Sequence, residues 1–254
     1  MIADRQTNLG SFGSDINAVV VGATGGIGSV FVEALMGVET VSRVLALSRT
    51  DPHLDTNHAI WTPIDIEEEA SVRAAAESAR RVVGELHLVI VASGVLHEGE
   101  GLQPEKTWRA LSAESLERAF RINTVGPTLV AKHFLPLLAR ERKSAFAALS
   151  ARVGSISDNR LGGWHSYRAS KAALNMLLRT MSIELTRINP NALCIALHPG
   201  TVDSRLSKPF QANVPEGKLF SPQRAASQLL TVVNGLTPEQ SGRMFAWDGA
   251  EIPF

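Results

Sequence analysis

The run NAVVVG at residues 17–22 passes straight into ATGGIGSVFVEAL. Ala18 to Val21 are all apolar, so the run does not alternate as a half-exposed strand does. A strand of this kind is buried on both faces, which is the habit of parallel sheets. Parallel neighbours cannot be joined by a hairpin and need crossovers, usually helices. The chain should therefore alternate strand and helix, and it does. Apolar runs recur at 44–48, 59–65, 86–94, 145–150, 192–198 and 243–247. Helical patterns fall at 26–36, 67–84, 112–140, 164–188 and 222–235. Gly84 closes the 67–84 helix, whose acidic start and basic end suit the helix dipole. Pro63 lacks an amide donor, so the 59–65 strand should lie at an edge or end there.

Counting 17–22, these are seven strands. They predict one α/β domain, a doubly wound Rossmann-type fold with a mostly parallel seven-stranded sheet and helices on both faces. The chain has 254 residues, enough for a full core without staples. Lys+Arg and Asp+Glu are 25 each, so there is no basic excess of the kind a nucleic-acid binder carries. The single cysteine, Cys194, lies in the apolar run ALCIALH and reads as a small buried hydrophobe. Residues 1–16 read as a flexible tail, neither a signal peptide nor a membrane anchor. No apolar stretch has the length of a membrane helix. A cytoplasmic protein is the expectation, with one domain over 17–254 and a substrate loop within it at 199–221. His53 and His58 have no cysteine pair or carboxylate cluster beside them, so no metal site is expected.

Gly22, Gly26 and Gly28 open the first strand-to-helix turn in a G-x-x-x-G-x-G spacing, with Thr24, Gly25 and Ile27 between them. Glycine lets backbone approach a pyrophosphate, and the helix N-terminus adds free N–H groups and a positive dipole end. A flexible turn would also use glycine, but this position in an alternating chain favours dinucleotide binding. The second strand ends in Ser48 and Arg49, with no carboxylate. A hydroxyl and a guanidinium suit a 2′-phosphate, so NADP(H) is preferred; Asp51 two residues on leaves NAD(H) open. Tyr167, the only tyrosine, has Lys171 four residues later on the same predicted helix face. A nearby ammonium favours a phenolate and lowers a pKa that is ordinarily about 10, which would let the pair exchange a proton with a carbonyl or hydroxyl oxygen. Spacing alone would favour a half-buried tyrosine beside a surface lysine, a common pair on helices.

The combination resembles the short-chain dehydrogenase/reductase family from Ala18 to the C-terminus. VGATGGIG (21–28) is similar to its T-G-x-x-x-G-x-G, with Val21 for threonine. NTVG (123–126) is similar to N-x-x-G, YRASK (167–171) to Y-x-x-x-K, and HPGTVDS (198–204) to P-G-x-V-x-T. GVLH, GGWHSYRASKAALN and DGAEIPF look closest to the branch with the C-factor signalling proteins and carbonyl reductases. The resemblance implies that Tyr167 gives the proton in reduction and that Lys171 holds the nicotinamide ribose and lowers the phenol pKa. It implies that Asn123 holds a water linking Lys171 to solvent. Asp65 would meet the adenine amino group, with Ile66 and Gly94 also at the cofactor, and Pro199, Gly200 and Val202 would hold the nicotinamide amide. Pairing through the two long helices, as a homodimer or homotetramer, is implied as well. A physical reason supports the Asn123 role. Pro127 has no N–H, so a regular helix would leave the Asn123 carbonyl unpaired and kinked outward, where water can bind.

Two departures stand out. The family serine after the fifth strand, second in S-S-x-x-G, aligns with Ala151, while Ser150 matches the first. Ser150 is the nominal catalytic match, although alternation turns neighbouring strand residues to opposite faces. Ser155 could instead fold back from the next loop, and Trp164 could contact substrate. In VASG (91–94) both amides of the family's N-N-A-G are gone. The leading expectation is an NADP(H)-dependent oxidoreductase acting on a small carbonyl or secondary alcohol. Phe210, Val214, Leu219 and Phe220 would form its substrate lid. The alternatives are a dinucleotide-binding sensor or C-factor-like signalling protein with weak or no catalysis, and a non-redox dehydratase or epimerase.

Overall fold

The computed structural model describes residues 8–54, 58–99 and 101–254. The strands are β1 Ile16–Val21, β2 Val41–Ser48, β3 Ala59–Pro63, β4 Leu88–Val91, β5 Ser144–Leu149, β6 Ala192–His198, β7 Thr201–Val202, β8 Leu219–Phe220, β9 Met244–Ala246 and β10 Glu251–Ile252. The α-helices are α1 Gly28–Met36, α2 Glu69–Val83, α3 Ala113–Phe120, α4 Gly126–Phe134, α5 His165–Ile188 and α6 Pro222–Gly235. The main sheet runs β3–β2–β1–β4–β5–β6–β9–β10, parallel except for the last pair. It has eight strands where seven were expected. The eighth, Glu251–Ile252, is two residues long and too short to show a period. β7 and β8 pair separately inside the stretch expected to be loop. Pro63 ends β3 on the sheet edge, where its missing N–H costs no ladder bond.

Both faces of the sheet are covered. Val20 and Val44 pack with Phe31 and Leu35 of α1 and Leu229 and Leu230 of α6. Val19, Val21 and Leu45 face the other way, with Val72 of α2, Phe134 of α4 and Leu174 and Leu178 of α5. The uninterrupted apolar run of β1 is thus two alternating faces that both find helices. The expected flexible tail is corrected in its second half. Leu9 and Phe12 are fully buried against the α1–α6 layer, and Lys143 Nζ sits 4.5 Å from the Phe12 ring. A local apolar pair in a polar stretch gave too little pattern to see this. Residues 1–7 lie outside the described residues. Cys194 is fully buried, and burial pushes its thiol up to about 12. Among the described residues, no helix is long and apolar enough to cross a membrane.

The helix expected over 112–140 does not run unbroken. Ser112 caps α3 as anticipated, its hydroxyl accepting the Ser115 N–H at 3.1 Å. Residues Arg121–Val125 form a π turn, and the Gly126 N–H bonds back to Arg121 O. Pro127 cannot donate to Asn123, and the chain takes up the mismatch as one wide turn before α4 begins.

At the opposite end of the sheet from the glycine turn, His87 joins β1 to β4. Its Nδ1 accepts the Asn17 N–H at 3.0 Å, and Arg142 lies 2.6 Å from Nε2. Burial, then Arg142, holds His87 down at about 4; burial, then Arg152, does the same for His198. Both are neutral in the fold and titrate near 6.5 when unfolded. Their depressed values add stability that is complete above pH 6.5 and is lost as pH falls towards 4. Denaturant unfolding across that range should show stability falling with acidification. His87→Asn, which keeps an acceptor for the Asn17 N–H, should remove about half of the slope. An unchanged slope in the variant would mean that His87 is not a source of it.

Candidate active site

Sheet order reverses between β1, which leads out to β2 and β3, and β4, which leads to β5 and β6. Crevices outside the carboxyl ends of strands at such a point are where doubly wound sheets bind ligands. Gly22 ends β1 there with φ +87°, and a Cβ on it would lie 3.0 Å from the Ser93 N across the switch. Gly28 starts α1, and its Cβ would stand 2.0 Å from the Gly22 carbonyl oxygen. No side chain fits that gap, so the first turn of α1 can close onto the strand only with glycine. Gly25 donates to Gly22 O at 2.9 Å. The N–H groups of Thr24, Gly26 and Ile27 make no hydrogen bond among the described residues. Thr24 and Gly26 are exposed. This is a cradle of unpaired donors at a helix N-terminus, and it fits the pyrophosphate of a dinucleotide.

Beside it, Arg49, Pro63, Ile64, Asp65 and Ser71 line a depression of 260 Å³. Arg49 is exposed on its rim, with the shape and charge to meet a phosphate. Ser48 is less available, because its hydroxyl is buried and donates to Thr50 O at 2.6 Å. The Asp65 carboxylate accepts the Glu67 N–H at 3.0 Å. Ile66 packs beneath, where a Cβ on Gly126 would lie 2.8 Å from its Cδ1. Glycine there lets the wide turn approach Ile66 closely.

Across the switch point, α5 brings Tyr167 and Lys171 to the ends of β4 and β5. Both are buried, with 9% and 3% of their surface exposed. The phenol oxygen makes no hydrogen bond among the described residues. Lys171 Nζ donates to Leu149 O at the end of β5, 2.8 Å away, and lies 6.0 Å from the Tyr167 ring centre. The lysine was expected to lower the phenol pKa, but burial dominates. It pushes Tyr167 well above its ordinary value and Lys171 down to about 8. A Cβ on exposed Gly94 would lie 3.3 Å from Asn123 Oδ1 and 3.5 Å from Lys171 Nζ, so three of the expected residues share one small space.

Asn123 is fully buried. Its Oδ1 accepts the Val95 N–H and its Nδ2 donates to Val95 O, both at 2.8 Å, and Nδ2 also reaches Ser170 Oγ at 3.1 Å. It ties the wide turn to the loop after β4 and, through Ser170, to the Tyr167 carbonyl. Ser170 went unnoticed in the sequence, although its i+3 spacing from Tyr167 placed it on the same face. Ala151 follows β5 in extended conformation and carries no hydroxyl. Ser150 donates to Asn175 Oδ1 at 2.7 Å, two turns along α5 from Tyr167. Ser155 is 2% exposed and accepts the Asp158 N–H within its own turn. Neither hydroxyl is directed by these bonds to the tyrosine. On the other wall, Gly200 has φ +77°, and its Cβ would lie 2.7 Å from Phe220. Phe220 is buried and packs at 4.8 Å on Trp247, so it anchors the 199–221 loop beside Pro199 and Val202 rather than covering a substrate. Phe210 does reach the site. It packs 5.2 Å from Trp164, which lies edge-on 6.3 Å from Tyr167, and 5.8 Å from His97.

The family model for short chain dehydrogenase matches residues 17–215. An uncharacterized oxidoreductase of Schizosaccharomyces pombe is 28% identical over 256 residues, covering 92% of this chain and 96% of the relative. The C-signal protein of Myxococcus xanthus is 38% identical over 140 residues, covering 55% and 78%. The NADPH-bound carbonyl reductase from chicken fatty liver superposes with a TM-score of 0.81 at 28% identity, covering 95% of this chain and all of that one. The chain belongs to the short-chain dehydrogenase family. It is an oxidoreductase of the NAD(P)-dependent class, with likeness to the C-factor and carbonyl reductase branch.

Gly28→Ala should destabilise the fold by about 3 kcal/mol or more, since backbone must move to admit the methyl. Urea unfolding checks this, and a variant within about 0.5 kcal/mol of wild type would refute the steric reading of the turn.

Proposed function

We propose that the protein is an NADP(H)-dependent carbonyl reductase in which Tyr167 is the proton donor. The observation that carries this is a buried phenol with no hydrogen-bond partner among the described residues, set one helical turn from a buried lysine beside the glycine cradle. When bound, the dinucleotide supplies the hydride to the carbonyl carbon. Thr24, Gly26 and Ile27 offer their N–H groups to its pyrophosphate, Asp65 and Ile66 flank the adenine end, and Pro199, Gly200 and Val202 form the far wall. Arg49, on the rim of the 260 Å³ depression with no carboxylate beside it on β2, supports NADP(H) over NAD(H). The reaction then asks one thing of Tyr167, a proton for the carbonyl oxygen. Burial favours the neutral phenol, the form that has a proton to give in reduction. Lys171 stands where a ribose hydroxyl could replace the Leu149 carbonyl as its partner, and Asn123 shares its space for a bound water. The substrate is a small or medium ketone or aldehyde entering past Phe210 and Trp164.

A second reading, a dinucleotide-binding sensor with little turnover, draws on Ala151 and on the likeness to the C-signal protein. Pairing of two copies along α5 has support of its own. Ile156, Ala172, Met176 and Phe254 line a shallow apolar hollow of 270 Å³ on its outer face, and Ile156 and Met176 are exposed.

Following loss of reduced-nicotinamide absorbance with a panel of carbonyls separates the readings. NADPH binding with no turnover on any of them would favour the sensor. If turnover is found, Tyr167→Phe should lower kcat by about 100-fold or more, and survival within a few-fold would remove the tyrosine from the chemistry. Arg49→Ala should weaken NADPH binding by about tenfold while leaving NADH nearly unchanged. Equal losses for both would place Arg49 away from the 2′-phosphate.

A further inference from the structure

Gly162, Gly163 and Trp164 have φ of 63°, 67° and 52° in succession, and α5 begins at the next residue. The two glycines take this conformation freely. A tryptophan does not, so Trp164 at φ 52°, ψ 44° must be held there from outside. Trp164 also has no side-chain acceptor to cap the helix it precedes.

Glu105 meets both needs. It lies in the loop between β4 and α3 and is 4% exposed. Its main-chain oxygen accepts the Trp164 N–H at 2.5 Å. One carboxylate oxygen accepts the Ser166 N–H at 3.1 Å, and the other accepts the Ser166 hydroxyl. A residue 61 positions away thus supplies the cap that the helix lacks, and it grips Trp164 and Ser166 on either side of the first helical residue. From the helix side, Arg168 Nε holds the Gly163 carbonyl at 2.9 Å. Tyr167 directly follows the clamped Ser166, and the Trp164 ring it meets edge-on is set by the clamped left-handed backbone.

We propose that Glu105 is a positioning residue for Tyr167, holding the turn that sets both the phenol and the Trp164 wall beside it. The proposal rests on the reading of Tyr167 as proton donor. The clamp needs two acceptors, or an acceptor and a donor, at the correct reach. Glutamine can meet this, since its carbonyl can accept the Ser166 N–H while its amide donates to the Ser166 oxygen. Aspartate keeps the charge and loses the reach.

The test is steady-state kinetics on Glu105→Gln, Glu105→Asp and Glu105→Ala with NADPH and an accepted carbonyl, beside Tyr167→Phe. Glu105→Asp and Glu105→Ala should lose about 30-fold or more in kcat with the KM for NADPH within about twofold, because the phenol is misplaced and the cradle is not. Glu105→Gln should stay within about threefold of wild type. A purely structural cap would instead lower thermal stability with kcat per folded molecule intact, and that result in Glu105→Asp would overturn the proposal even if Glu105→Ala does not fold. So would a glutamine variant as impaired as the alanine one. If Tyr167→Phe retains activity, the failure is in the donor assignment; if it loses activity and Glu105→Asp does not, the failure is in the clamp alone.

Discussion

The rest of the site depends on one contact, the packing of Gly28 against the Gly22 carbonyl. A methyl group on Gly28 would sit 2.0 Å from that oxygen, so the first turn of α1 closes over the end of β1 only because Gly28 has no side chain. That closure brings the helix N-terminus down to the crevice at which strand order reverses. Everything else reaches the same crevice from the same side, because in parallel strands all carboxyl ends lie together. β4 contributes Gly94, β5 leads to Ala151, and β6 leads to Pro199 and Gly200. Tyr167 and Lys171 arrive from α5, which packs Leu174 and Leu178 against the sheet, and Asn123 arrives from the wide turn before α4.

Burial sets the chemistry of that helix more than the Tyr–Lys pairing does. Removing the phenol and the ammonium from water favours the neutral form of each, which raises one pKa and lowers the other. The lysine is compensated by a carbonyl at 2.8 Å, and its nitrogen is 6.0 Å from the ring centre rather than against the phenol oxygen. At that distance its field does not overcome the desolvation of the phenol. The i+4 spacing correctly placed both groups on one face; it could not reveal the depth at which the face would lie.

Legibility followed the range of the signal. β1, the glycine turn and the Tyr–Lys pair were readable because each is a local pattern with a period or a fixed offset. Pro127 announced a disruption, since a missing N–H has a definite consequence four residues back, though only the fold shows that a wide turn absorbs it. β10 was unreadable because two residues carry no period. Phe220 and Phe210 looked alike in one apolar, Pro-rich loop, yet one anchors on Trp247 and the other reaches Trp164. Glu105 was invisible for a deeper reason. A carboxylate in a polar loop reads as solvated, and only the fold shows that it is buried against a helix start 61 residues further on.

Ala151 gives the clamp and the burial a common meaning. On the proposed reading, a second hydroxyl at that position would share the polarisation of the carbonyl, and some error in the phenol's placement could be absorbed. Ser150 donates to Asn175, and Ser155 lies buried within its own turn accepting the Asp158 N–H, so no bond aims either hydroxyl at the tyrosine. The oxygen then depends on Tyr167 for its donor. Burial favours the protonated phenol, the form that carries a proton to give. A single donor must also be well aimed, because hydrogen bonds weaken steeply with angle. On the proposed reading, the strained backbone at Trp164, its capture by Glu105 and a phenol oxygen without a partner among the described residues all answer to the absence of a side-chain oxygen at residue 151.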